Sequence, residues 1–80
     1  MTTVRVLSVC RMSRGIAVNF EIVDGDVRNG TVLRDDRGTV VEIVTIAFGQ
    51  PDAWAAGRRG VMVREAGTRA VAEGDVLTTE

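Results

Sequence analysis

Eighty residues, 45% hydrophobic and 26% charged, set the scale of one small globular domain rather than a disordered chain. A formal net charge of −1 excludes a global field that would draw in nucleic acid or an anionic membrane, though not a local basic patch. Histidine, lysine and tyrosine are absent and all ten cations are arginine, so the commonest general base and metal ligand is missing.

The first stretch, "MTTVRVLSVCRM", holds no apolar run long enough for a signal peptide, and nothing in the chain approaches the ~20 apolar residues of a membrane span. Cys10 is the only cysteine, which excludes an internal disulfide and fits a reducing compartment. A cytoplasmic protein is expected. Val4 to Met12 is rich in β-branched residues and reads as the first strand, with "SRG" (13–15) as a tight hairpin turn. "IAVNFEIV" alternates, placing Ile16, Val18, Phe20 and Ile22 on one face of a half-buried antiparallel strand. A short strand is predicted over Thr31 to Arg34, followed by the turn "DDRG" (35–38). The longest strand is predicted over Thr39 to Phe48, and a loop over Gln50 to Arg59. Strands at 60–64 and 75–79 flank a loop at 65–70. Six short strands with regularly spaced turns predict an all-β fold: a small closed, antiparallel, Greek-key-like barrel filling residues 1–80 as one domain.

One pattern occurs twice. "VRNGTVL" (27–33) and "VAEGDVL" (71–77) both read V-x-x-G-x-V-L. In each, a valine is expected to tuck into the barrel end, a glycine to permit a left-handed turn, and a Val-Leu strand to leave it.

The first copy lies in "DGDVRNGTVL", which carries the glycine spacing of a phosphate loop at Gly25 and Gly30. That loop needs Lys and then Ser or Thr opening a helix. Thr31 and Val32 occupy those positions, and a strand follows. A calcium loop fails too: Asp24 and Asp26 fit its first two ligand positions, but Arg28 would set a positive charge at the third. Cys10, inside a strand, is expected to be buried and inert, and Ser8 and Ser13 have no base to activate them. Asp35 and Asp36 read as solvated turn acids. No catalytic, cofactor or metal residues are assigned, and a non-enzymatic protein is expected.

Two binding surfaces are expected instead. Arg58 and Arg59 stand beside Trp54 on the longest loop, with Arg28 on the first V-x-x-G turn; arginines and an aromatic on loops are how small barrels hold single-stranded nucleic acid. Trp54 also suits the plugging of a barrel end. Along the longest strand, alternation puts Val40, Val44, Ile46 and Phe48 outside, broken by Glu42, whereas an uncovered barrel strand is polar there. That face is a candidate interface with a second copy or a protein partner.

"RGIAVNFEIVDGDVRNGTVL" resembles the RG-T-V-x-x-G-x-I-x-x-G-x-I-x-x-G-D-x-V stretch in the second domain of elongation factor Tu and related translational GTPases. Gly15, Ile22, Gly25, Val27, Gly30 and Val32 fall on its positions. "AWAAGRRGVMVREAGTRAVAEGDVLTT" resembles that family's later block, through Ala56, Gly57, Val61, Val63, Gly67, Val71, Gly74, Val76 and Leu77. The two blocks span residues 14–33 and 53–79, and the resemblance extends over about residues 4 to 79. Departures fall at Asp26, where the family often has Lys or Pro, at Thr31, where Asp is common, and at Phe20, flanked by Asn19 and Glu21, where the family has a small residue or Gly. The resemblance implies the translation-factor barrel and a module contacting RNA, tRNA or a translation component. GTP binding does not carry over, because the chain has no phosphate loop.

Overall fold

The computed structural model describes residues 1–46 and 57–79. Within them the strands are β1 (Thr3–Met12), β2 (Gly15–Asp24), β3 (Val32–Arg34), β4 (Val40–Ile46), β5 (Arg58–Glu65) and β6 (Val76–Thr78). They close into an antiparallel barrel in the order β1-β2-β5-β4-β3-β6, the fold class that the turn spacing predicts. β2 follows its alternation: Val18 and Phe20 are buried, and Ile16 and Ile22 pack against the core from its ends. β5 begins earlier than expected, so Arg58 and Arg59 lie on a strand and not in a loop.

The register contains an internal twofold relation. β1 pairs with β2 through Val6↔Phe20 and Val9↔Val18, with a bulge between Val6 and Ser8. β4 pairs with β5 through Ile43↔Val63 and Ile46↔Val61, with a bulge between Ile43 and Thr45. β6 joins β1 by Leu77↔Val4, as β3 joins β4 by Leu33↔Val41. Val18↔Val61 and Arg34↔Thr78 map onto themselves and mark where the axis crosses opposite walls. Each of the twelve buried core side chains among the described residues has a counterpart under this relation. Val4, Val6, Val18, Phe20, Val27 and Leu33 correspond to Val41, Ile43, Val61, Val63, Val71 and Leu77. Even the outward cross-strand ion pairs correspond with their signs exchanged, Arg5–Glu21 on one half and Glu42–Arg64 on the other.

The repeated V-x-x-G-x-V-L segments are the corners of the two halves. Val27 and Val71 are buried, while Gly30 and Gly74 sit at φ +88° and +89°. Gly30 N–H donates to Ile43 O (2.7 Å) and Ile43 N–H to Thr31 O (2.9 Å). Gly74 N–H donates to Val6 O and Val6 N–H to Asp75 O, both at 2.8 Å. A Cβ at either glycine would meet no atom within 4 Å, so the backbone conformation alone demands glycine. Gly30→Ala and Gly74→Ala are therefore expected to lower the unfolding free energy by about 1 kcal/mol each, read from urea midpoints. A large difference between the two would contradict the equivalence of the corners.

The strand ends repeat the theme. Thr79 N–H donates to Thr2 O (2.9 Å) and Thr2 N–H to Thr79 Oγ1 (2.8 Å). In the other half Asp35 N–H donates to Thr39 O and Thr39 N–H to Asp35 Oδ1, both at 3.0 Å.

Candidate binding site at one barrel end

Arg59 occupies the inward position that Ile16 holds in the first half, opposite Phe20 in the β2–β5 register. A cation aimed at a barrel end needs an anion beside it. Asp26 supplies one, with Oδ1 3.4 Å from Arg59 Nε and Oδ2 3.5 Å from Nη2. Nη1 donates to Arg58 O at 3.0 Å, and the Arg59 side chain is only 11% exposed. Arg59, expected to contact a ligand, instead holds the site together.

Asp26 is the knot of this end, although its sequence context reads only as a turn acid. Its Oδ1 also accepts the Val27 N–H (2.8 Å), and its carbonyl accepts the Thr2 hydroxyl (2.8 Å). Ile22 N–H donates to Gly57 O at 2.7 Å and fixes the entry to β5. The Asp26–Arg59 pair thereby links the corner that carries Arg28 to the start of β5, which carries Arg58. Arg28 is exposed, with its backbone pinned: its N–H donates to Thr31 Oγ1 (3.0 Å) and its carbonyl accepts the Thr31 N–H (3.1 Å). Arg58 is also exposed and lies opposite Glu21, which already binds Arg5 at 2.8 Å. The Glu21 carboxylate opposite Arg58 is thus already engaged by Arg5.

The expected apolar face of the longest strand does not hold together. The bulge between Ile43 and Thr45 adds one residue and reverses the alternation beyond it. Val44 stands out at 56% exposed and Val40 is half-buried. Ile46 turns inward, pairs with Val61 and packs on the core, and its N–H donates to Asn29 Oδ1 at 3.0 Å. Ile46 therefore leaves the candidate interface. Phe48 and Trp54 lie outside the described residues. Cys10, expected to be buried, is exposed; beyond the first bulge it falls on the outer face of β1.

A second polar cluster stitches corner two to the start of β4. Arg69 Nη1 lies 2.7 Å from Thr39 Oγ1, 2.8 Å from Asp75 Oδ2 and 3.7 Å from Asp35 Oδ2. Asp75 Oδ2 also accepts the Ala72 N–H (2.9 Å), and Asp35 Oδ1 accepts the Arg37 N–H (2.9 Å). Burial pushes both carboxyls up. For Asp35 the Thr39 and Arg37 hydrogen bonds and the Arg69 charge outweigh it; for Asp75 the Arg69 hydrogen bond, the Ala72 N–H and the Arg69 charge do so. Both are left below the ordinary value. Nearby, Glu65 is held low chiefly by its hydrogen bond from Arg11, 2.6 Å away. Carboxylates fixed in the ionised state by such partners are latches, not proton shuttles, at neutral pH.

Among the described residues no group of three or more His, Cys, Asp or Glu side chains could hold a metal ion, and no helix is long and apolar enough to cross a membrane. Comparison with protein-family models, with curated proteins and with solved structures gives no match for this chain.

Proposed function

We propose that the chain is a non-catalytic binding module that holds a single-stranded RNA segment, such as an exposed end or loop, at the barrel end carrying Arg28 and Arg58. The supporting observation is the Asp26–Arg59 ion pair, which links the corner that carries the exposed Arg28 to the start of β5, where Arg58 is exposed. A backbone already fixed removes its own share of the ordering cost, so that only the guanidinium side chains must be ordered on a phosphate. The resemblance to the second domain of translational GTPases points toward RNA, tRNA or a translation component as the ligand class. The single cysteine fits a reducing, cytoplasmic setting.

Binding is expected to be modest and salt-sensitive, because few phosphates are neutralised. A labelled single-stranded RNA, titrated with the protein at low salt and followed by fluorescence anisotropy, tests this. Arg28→Ala/Arg58→Ala is expected to abolish most of the affinity and to reduce the slope of log K against log salt by about 1.4, the single-strand value for two phosphates. Arg37→Ala, in the turn before β4, leaves affinity unchanged. No binding by the parent at low salt, or parental affinity in the double variant, rejects the proposal.

A further inference from the structure

Among the described residues, 1–35 and the segments 38–46 and 57–79 repeat one plan: two paired strands, then a corner and a short third strand. Neither copy is a domain by itself. Only the β1–β2 and β4–β5 ladders lie within a half. The β2–β5, β1–β6, β3–β4 and β3–β6 ladders all cross between halves. Each half contributes one equivalent set to the common core, so alone it would expose that set to water. The third strand of each half pairs not with its own hairpin but with the first strand of the other. The barrel is thus an intramolecular dimer, whose halves are joined only by the turn at Asp36 and Arg37 between the Asp35–Thr39 hydrogen bonds.

We infer that the seam between halves is an interface that a second copy of this chain can supply, giving an exchanged dimer in which each barrel takes one half from each chain. The contacts made across the seam are the same in the exchanged and closed forms, so only the connecting turn and chain concentration decide between them. The exchange does not depend on RNA binding and carries two Arg28–Arg58 ends on one particle.

Two full-length variants test it. Phe20→Asp places a charge in the core of the first half, and Leu77→Asp does so in the second; both native side chains are fully buried. Each variant, refolded separately, is expected to lack the parental strand signal in circular dichroism. Refolded together, they can build one sound barrel from the intact second half of one chain and the intact first half of the other. The expected result is roughly half the parental strand signal, carried by a particle of two chains in sedimentation. If the mixture shows no more strand signal than the mean of the two variants alone, the inference is overturned.

Discussion

Phe20→Ala is expected to lower the unfolding free energy by roughly 3–5 kcal/mol, a large share of the roughly 4–12 kcal/mol available to a domain of this size. Phe20 is fully buried and the largest of the core side chains among the described residues. It lies mid-strand in β2, whose neighbours β1 and β5 are hydrogen-bonded on both sides, so the walls cannot collapse into the vacated space. Its counterpart Val63 is smaller, which means that the two halves fill the shared core unequally and the first half carries the bulk. Val63→Ala should therefore cost distinctly less than Phe20→Ala. Urea unfolding followed by circular dichroism measures both, and equal losses would show that the core is not centred on the ring.

Asp75→Ala is expected to lower Tm by roughly 5–15 °C at neutral pH, because it removes a buried acceptor from both Arg69 and the Ala72 N–H. Thr31 holds the equivalent place in the first corner, so a polar group of another kind serves there. Asp75→Asn, which keeps an acceptor oxygen, should recover part of the loss. The same carboxylate links stability to pH. Asp35, Asp75 and Glu65 all have folded-state values below their ordinary ones. The unfolded chain therefore takes up protons first as pH falls. The stabilisation is complete above the ordinary carboxylate range near pH 4 and is lost as pH drops through the lower folded values. Parental Tm should be flat from neutrality to about pH 5 and fall steeply below about pH 4, with a shallower fall in Asp75→Ala. A parent whose Tm does not change down to pH 2.5 would show that these carboxylates are not coupled to folding.

What was legible in the sequence was local. The alternation of β2 follows from a pleat with one face in the core, and the paired corners announce themselves through the spacing of Val27, Gly30 and Leu33 and its repeat at Val71, Gly74 and Leu77. What was hidden depends on pairing between distant residues. The bulge that turns Ile46 inward is a property of the β4–β5 register. The equivalent spacing from Val6 to Val9 in β1 could have revealed it, since Val9 repeats the inward turn after one extra residue. Arg58 and Arg59 look like loop residues because two adjacent charges seldom open a barrel strand; their place becomes intelligible only when Asp26, far away in sequence, is set beside them. Arg69 likewise reaches Thr39 across thirty positions of chain.

The hydrogen bonds between Thr2 and Thr79 have a topological consequence. They leave the first and last described strands side by side, at the place where the other half has a tight turn. A fold whose two ends emerge together can be spliced into a surface turn of a host protein without prying that turn open, or closed into a ring and reopened between its halves. The architecture is suited to being carried as a cassette.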